Sequence, residues 1–173
     1  MTTTYTCSIE TPLGAMTAAA ENSALVGLWF IGQKYYPAAT ANWVEDPGHP
    51  VLAALKNELS RYFSGEAKVV GTPLEPHGTS FQMAVWEALR RIPYGETVTY
   101  GELAREIARQ RGLGSMSAQA VGSAVGHNPI TILIPCHRVV GSDGSLTGYA
   151  GGLDKKEALL RLEGLAVKGR GKA

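Results

Sequence analysis

The stretch Gly71-Thr-Pro-Leu-Glu-Pro-His-Gly78 divides the sequence into two parts of different character. It holds two prolines and two glycines, and both residue types interrupt helices and strands. A chain of 173 residues has room for two small domains, one on each side of such a linker. We therefore predict an N-terminal domain at residues 1–75 and a C-terminal domain at residues 76–173.

Upstream of the linker the pattern is that of a small sheet with one helix. Three short apolar segments, at residues 5–9, 15–20 and 24–30, are separated by turn-like residues, which predicts an antiparallel meander. Pro50 then opens a helix over residues 51–63. Its predicted inner face consists of Leu52, Leu55, Leu59 and Phe63.

Downstream of the linker the sequence becomes helical. Three pairs have the spacing of a capping box: Thr79 with Gln82, Thr99 with Glu102, and Asp154 with Glu157. The second pair starts a helix whose inner face is predicted to be Leu103, Ala104, Ile107 and Ala108. A glycine-containing loop joins it to a short helix at residues 118–125, which suggests a helix-turn-helix with a turn longer than usual. The predicted fold class is α+β: a small N-terminal antiparallel sheet domain with a helix, and a mainly helical C-terminal domain.

Composition and charge favour a soluble, globular protein of a reducing compartment. Two cysteines cannot form a disulfide framework, and neither a membrane-spanning run nor a secretory signal is seen, so we expect a cytoplasmic protein. Residues 1–79 carry 4 basic and 7 acidic side chains, whereas the remainder carries 12 and 8. The basic half fits either an anionic partner or an ordinary solvated surface.

Cys136 has the most distinctive setting for chemistry, between Pro135 and the pair His137-Arg138. A thiol becomes a nucleophile as a thiolate, which needs a nearby base or positive charge, and the two following residues offer both. Adjacent side chains on a strand point to opposite faces, so contact between Cys136 and His137 does not follow from their adjacency. The alternative interpretation is that Cys136 is buried and inert. For Cys7, inside the meander, we expect that inert state.

Two further segments admit a structural or a functional interpretation. The helix at residues 118–125 carries almost only small side chains, which fit either tight helix packing or a close approach to DNA. Gln119 is the one side chain on this helix that can form hydrogen bonds with the edge of a DNA base. Residues 141–152 are glycine-rich and can wrap around a planar ligand, with Tyr149 as a pocket wall or a core residue. Cys136, His137 and His127 lack the paired spacing of a zinc site, so we expect no metal and no cofactor.

The second half, taken together, resembles the O6-alkylguanine-DNA alkyltransferase family, the methylated-DNA–protein-cysteine methyltransferases. The segments that carry the resemblance are Phe81-Gln82, Val85-Trp86, Ile92-Pro93, Gly95-Glu96-Thr97, Tyr100-Gly101-Glu102-Leu103-Ala104, Ala120-Val121-Gly122, Asn128-Pro129, the run Ile-Pro-Cys-His-Arg-Val-Val at 134–140, Gly148-Tyr149-Ala150-Gly151-Gly152, Leu159-Leu160 and Glu163-Gly164. The Pro-Cys-His-Arg-Val core is the most specific of them. The first half resembles the variable N-terminal domain of the family more loosely.

The resemblance implies a role for each of these residues. Cys136 would attack the alkyl carbon on O6 of guanine and keep the alkyl group as a thioether, one transfer per molecule. His137 would act as the base through a water, oriented by Glu163, and Asn128 would fix the turn that presents Cys136. The other implied residues are Tyr100, Val139, Tyr149 and Ala150 around the flipped base, and Gln119, Ala120 and Arg138 toward the DNA.

The implied partner is double-stranded DNA containing O6-alkylguanine, approached from the minor groove, and we expect a monomer without membrane contact. In the family the second helix of the helix-turn-helix supplies an arginine that fills the stack of a flipped base; here that position is Gln119. The alternative on the same fold is a non-catalytic protein that binds alkylated guanine. Relatives of that kind replace the acceptor cysteine, whereas this chain keeps Cys136. A helix-turn-helix regulator and a Cys/His hydrolase are the other two classes considered.

Overall fold

The chain forms two compact units in the computed structural model, which describes residues 2–38, 41–68 and 71–167. The first unit extends to His77 and also includes Pro129–Thr131. The second unit contains Gly78–Asn128 and continues from Ile132. The division at His77 falls inside the Pro/Gly stretch, two residues beyond residue 75, and the return of Pro129–Thr131 to the first unit was not predicted from the sequence.

The first unit is built on a four-stranded sheet. Its strands are β1 (Thr4–Thr11), β2 (Gly14–Glu21), β3 (Ala24–Phe30) and β4 (Trp43–Glu45), in the order β3-β2-β1-β4. The first three form the predicted antiparallel meander, with Cys7 opposite Ala18 in the register. The three-residue β4 pairs in parallel with β1, so the sheet is mixed rather than purely antiparallel. A strand this short has no readable alternation in the sequence.

One helix and one returning segment complete the first unit. Helix α1 (Pro50–Phe63) is capped by His49, whose Nδ1 accepts a hydrogen bond from the Val51 N–H at 3.2 Å. Its buried residues are Leu52, Leu55, Leu59 and Tyr62, so Tyr62 takes the inner position predicted for Phe63. The Leu28 N–H donates to the Pro129 carbonyl at 2.9 Å, which places Pro129–Thr131 beside β3.

The second unit is mainly helical, as predicted. It contains α2 (Ser80–Arg90), α3 (Tyr100–Gln110), α4 (Ala118–Gly126) and α5 (Leu153–Leu162), with a short parallel pair β5 (Val98–Thr99) and β6 (Val139–Val140). The capping boxes at Thr79 and Thr99 are confirmed: each threonine side chain accepts from the backbone of the third helical residue, whose side chain accepts in return. The predicted inner face of α3 is also confirmed.

The start of α5 differs from the prediction. The helix begins at Leu153 after Gly152, which has a φ of 102°, and no side chain caps it. Asp154 lies inside the first turn rather than at the cap, because the left-handed Gly152 ends the preceding loop one residue before the helix begins. The helix ends at Leu162, and Gly164 follows with a φ of 88°.

Helices α3 and α4 form a helix-turn-helix that packs on α2. The turn between them covers residues 111–117, and α4 buries Val121, Ala124 and Val125. The indole N–H of Trp86 on α2 donates to the Ala124 carbonyl at 2.8 Å, which ties α4 to the core of the unit. In the parts of the chain that the structure describes, we find no helix long and apolar enough to cross a membrane.

Candidate active site

Cys136 is presented by a tight turn that a buried amide braces. It begins a 3₁₀ turn, Cys136–Arg138, directly after Pro135. The backbone N–H of Cys136 and the side-chain Nδ2 of Asn128 both donate to the Ile134 carbonyl, at 2.8 and 2.7 Å. Ile132, four residues before Cys136, has a φ of 76°, which is unusual for a β-branched residue. The side chain of Asn128 is therefore bonded to the segment that leads into Cys136.

The surroundings of Cys136 act on its thiol in opposite directions. The residue is only 7% exposed, and this burial raises the pKa of the thiol above its ordinary value. A hydrogen bond with Asn128 and the positive charge of Lys156 lower the pKa without cancelling the effect of burial. Cys136 is therefore a protonated thiol at neutral pH, and a base is needed to make it a nucleophile.

His137 is arranged as a neutral base. Its Nε2 lies 2.7 Å from Oε2 of Glu163, and both side chains are fully buried. An ionised carboxylate only accepts hydrogen bonds, so Nε2 carries the proton and Nδ1 keeps its lone pair. Among the described residues, Nδ1 of His137 has no hydrogen-bond partner. Burial lowers the pKa of His137 more than Glu163 raises it, so the imidazole is neutral at pH 7.

Arg138 does not lie where the sequence analysis placed it. It was expected to contact DNA, but its side chain is 10% exposed and its guanidinium binds the carboxylate of Glu163. Nε donates to Oε1 at 2.8 Å, Nη2 donates to Oε2 at 3.0 Å, and Nη1 donates to the Ile92 carbonyl at 2.7 Å. Because the forked guanidinium fits a carboxylate in the protein interior, Arg138 holds Glu163 in place instead of facing a partner.

Tyr100 lies at the start of α3, beside the glycine-rich loop. Its hydroxyl donates to the Thr147 carbonyl at 3.2 Å. A Cβ built on Gly148 would lie 3.9 Å from the Tyr100 hydroxyl oxygen. Burial, and to a lesser extent the charge that Cys136 carries when it is ionised, raise the pKa of Tyr100, so the phenol stays a hydrogen-bond donor at neutral pH. The structure thus joins Tyr100 to the loop that carries Tyr149 and Ala150, both half-buried. Val139 follows the 3₁₀ turn and is fully buried, so its side chain belongs to the core.

Lys156 is a site residue that the sequence analysis missed. It is fully buried on α5, and its Nζ donates to the carbonyls of Thr147 and Gly148 at 2.9 and 3.0 Å. The ammonium also lies 5.9 Å from the centre of the Tyr100 ring. Burial lowers the pKa of Lys156 to about 8. A signal was present: Lys156 stands three and four residues before Leu159 and Leu160, on the apolar face of a helix where a lysine is unusual.

The first turn of α4 carries the residues expected at DNA. Gln119 and Ala120 are both exposed, and the helix is capped by Ser117, whose hydroxyl accepts from the Ala120 N–H at 3.2 Å. Both interpretations of the small side chains of α4 are therefore compatible with the structure. Val121, Ala124 and Val125 pack in the interior, and the first turn offers an accessible surface.

The two remaining features are the second cysteine, Cys7, and the side chains that could bind a metal ion. Cys7 is buried in β1, and burial raises the pKa of its thiol, which fits the expected inert role. Within the described ranges, no group of three or more His, Cys, Asp or Glu side chains is placed to hold a metal ion.

Comparison with known protein families identifies two matching models that together span most of the chain. The model described as "6-O-methylguanine DNA methyltransferase, ribonuclease-like domain" matches residues 3–76. The model described as "6-O-methylguanine DNA methyltransferase, DNA binding domain" matches residues 80–165.

Individual relatives are similar over nearly the whole chain. A methylated-DNA–protein-cysteine methyltransferase of Mycobacterium bovis is 46% identical over 156 residues, 90% of each chain. A protein of the same name from Methanosarcina acetivorans is 43% identical over 160 residues, 92% of this chain and 98% of that one. Among solved structures, that of Mycobacterium tuberculosis OGT in complex with DNA is 43% identical, covers 92% of each chain and has a TM-score of 0.82.

Proposed function

Because the chain belongs to the 6-O-methylguanine DNA methyltransferase family, we propose that it transfers an alkyl group from O6 of guanine in duplex DNA to its own Cys136, once per molecule. Its enzyme class is that of its close relatives, methylated-DNA–protein-cysteine methyltransferase. The observation that carries the proposal is the buried contact between His137 Nε2 and Glu163, which leaves the lone pair of His137 Nδ1 available to accept a proton. His137 directly follows Cys136 in the sequence.

The first step makes the nucleophile. Nδ1 of His137 takes the proton of the Cys136 thiol through a water, and the carboxylate of Glu163 stabilises the imidazolium that forms. The electron pair on Sγ then forms a bond to the alkyl carbon as the bond from that carbon to O6 breaks. Burial makes the thiolate harder to form but more reactive in the attack, because a weakly solvated thiolate of raised pKa is a strong nucleophile.

The second half of the reaction concerns the leaving group. The electrons of the broken bond pass to the guanine, which leaves as a neutral base when it gains a proton from the hydroxyl of Tyr100. The proton that His137 took from Cys136 balances the one that Tyr100 gave. The charge of Lys156, 5.9 Å from the Tyr100 ring centre, favours the phenolate that this transfer leaves behind.

A single transfer follows from the product. The alkyl group ends as a thioether on Cys136, and a thioether sulfur has no easy leaving group, so the free thiol is not regenerated. The target atom lies inside the DNA stack, so the base must be flipped out at a cost of a few kcal/mol. We assign the flipped base to the half-buried surface formed by Tyr100 and by Tyr149 and Ala150 of the adjoining loop.

The test is a titration of the protein with duplex DNA that carries O6-methylguanine labelled in the methyl group. We expect at most one label per protein molecule, located on the peptide of Cys136 by mass spectrometry. Cys136→Ser should transfer no label and still bind DNA, because the surface that contacts the phosphates is unchanged. Cys7→Ser, which removes the other buried thiol, should transfer label like the parent.

Two of the alternative classes have their own outcome in this titration. Tight binding of alkylated duplex without label on Cys136 would support a lesion-binding protein. Turnover of several substrates per molecule would support a hydrolase, and label on Cys7 would overturn the assignment of the nucleophile.

A further inference from the structure

The segment that leads to Cys136 passes through the first unit before it enters the second. Within the first unit the Leu28 N–H donates to the Pro129 carbonyl, and the Thr131 N–H donates to the Leu28 carbonyl, each at 2.9 Å. These two bonds pair the segment Pro129–Thr131 with β3. Cys136 lies five residues beyond Thr131 and begins the 3₁₀ turn of the candidate active site. The chain therefore runs to the nucleophile from an anchor on β3.

Gln33 contacts this anchor with a buried amide. The residue is only 9% exposed, although glutamine normally lies at a protein surface. Its Oε1 accepts from the Phe30 N–H at 2.9 Å and, over a longer distance of 3.4 Å, from the Thr131 hydroxyl. One oxygen thus joins the end of β3 to the last residue of the returning segment. Because buried donors need acceptors, loss of this amide would weaken the attachment of Thr131.

The residue that follows the anchor has a backbone conformation that needs support. Ile132 is buried and has a φ of 76°, where the side chain of a β-branched residue crowds the backbone, so neighbouring contacts must maintain it. On one side Thr131 is held on β3. On the other side the Ile134 carbonyl accepts from Asn128 Nδ2 and from the Cys136 N–H. If the bonds on β3 are loosened, the backbone of Ile132 can relax and shift the turn.

We propose that Gln33 is a positioning residue for the transfer of the alkyl group to Cys136. Its amide keeps the returning segment on β3, which maintains the left-handed backbone of Ile132 and fixes where the Cys136 turn begins. Gln33 acts through the backbone of residues 129–135 and not by contact with the substrate. The rate of transfer is sensitive to such positioning, because a displacement of about 1 Å in a reacting group can cost about 10²-fold.

This inference rests on the proposed function, and single-turnover transfer tests it. Gln33→Met keeps the length of the side chain and removes the amide. We expect the maximal rate to fall by about tenfold with free O6-methylguanine base and with duplex DNA alike. The duplex concentration that gives half the maximal rate should stay unchanged, because a misplaced thiol affects the reaction of bound substrate and not its binding. An unchanged maximal rate together with a lower urea midpoint would show a purely stabilising role.

Two substitutions at Thr131 change the same contact from its other side. Thr131→Val removes the hydroxyl at similar shape and should slow transfer, whereas Thr131→Ser keeps the hydroxyl and should transfer faster than Thr131→Val. The matched control is Thr17→Val, which removes the hydroxyl that lies 2.9 Å from the Tyr36 hydroxyl in the same unit. It should leave the transfer rate unchanged even if it lowers stability. Equal rates for the two Thr131 variants would contradict the proposal.

Residue 132 distinguishes positioning from a general weakening of the fold. Ile132→Gly and Ile132→Ala both remove the side chain, but only glycine adopts a φ of 76° without strain. Adding Gln33→Met should slow transfer by about tenfold in the Ile132→Ala protein and by about threefold or less in the Ile132→Gly protein, because glycine needs less support from the anchor. The same factor in both backgrounds would show that Gln33 does not act through Ile132.

Hydrogen exchange needs no substrate, so it separates this inference from the proposed function. In Gln33→Met the amide of Cys136 should exchange about tenfold faster, whereas the amide of Ile107, buried in α3, should exchange as in the parent. If the parent transfers label from neither free base nor duplex, the proposed function fails, and exchange alone decides whether Gln33 holds the turn. Unchanged exchange at Cys136, or equal acceleration at Ile107, would overturn the inference.

Discussion

The Oε2 atom of Glu163 accepts a hydrogen bond from Nε2 of His137 at 2.7 Å, with both side chains fully buried. The same carboxylate binds Nε and Nη2 of Arg138 and accepts from the Gly95 N–H at 3.1 Å. Its negative charge is therefore matched by the permanent cation Arg138, and His137 remains neutral. The single carboxylate of Glu163 thus orients the imidazole of His137 and holds the end of α5.

Glu163→Gln should weaken both functions of this carboxylate. An amide cannot match the charge of the buried Arg138 guanidinium, and leaving a buried ion without its partner costs about 3–5 kcal/mol. We expect urea unfolding to show a loss of this size. At temperatures where the variant is still folded, single-turnover methyl transfer should be slower by about 10²-fold or more, because His137 loses its orienting anion.

The control for this prediction is Glu157→Gln on the same helix. Glu157 forms an exposed pair with Arg161, so its loss should change the free energy of unfolding by about 0.5 kcal/mol or less and leave transfer unchanged. A Glu163→Gln protein with the parent's transfer rate would contradict the role of the His137–Glu163 contact in catalysis.

Lys156→Met should make Cys136 less reactive, most strongly below pH 8. The lysine charge lowers the pKa of Cys136, so its removal raises that pKa, and each unit costs about tenfold in thiolate. The pKa of Lys156 is about 8, so the parent loses this advantage as the pH rises through 8. Iodoacetamide alkylation in a Cys7→Ser background measures the effect, with Lys155→Met as the control. A rate ratio that does not change with pH would rule out the electrostatic role.

Asn128→Ala should destabilise the turn that presents Cys136. The change leaves the buried Ile134 carbonyl without the bond from Nδ2, at a cost of about 1–3 kcal/mol, and it removes a hydrogen bond that lowers the pKa of Cys136. We expect lower stability in urea and slower alkylation of Cys136 together. Asn57→Ala on the exposed face of α1 is the control. Loss of stability with unchanged thiol reactivity would assign Asn128 a structural role alone.

Gln119→Arg should improve duplex repair more than free-base repair. Gln119 is exposed in the first turn of α4, where a guanidinium gains phosphate attraction and can occupy the gap left by a flipped base. We expect tighter duplex binding, a steeper salt dependence and faster repair of duplex DNA, measured against transfer from free O6-methylguanine base. An equal response of the two substrates, or slower duplex repair, would show that Gln119 does not lie at the site of base extrusion.

The sequence determined the parts of this protein that local interactions decide. The capping boxes at Thr79 and Thr99 act over three residues, and the apolar face of α3 repeats within one helix, so both were predicted correctly. The segments of the second half, with Pro-Cys-His-Arg-Val as the most specific of them, likewise identified the family from the sequence. The Asp154–Glu157 spacing shows the limit of local patterns, because Gly152 at a φ of 102° sets a different helix start.

Tertiary structure alone decided which charged groups meet in the interior. Arg138 reads as a surface cation in the sequence, but the end of α5 brings Glu163 to it across 25 positions, and the two charges are buried as a pair. Lys156 is likewise placed by packing, which directs its ammonium to two loop carbonyls next to Tyr100. Burial of a charge depends on the partner that packing supplies, and that partner lies too far along the chain for any local pattern to record it.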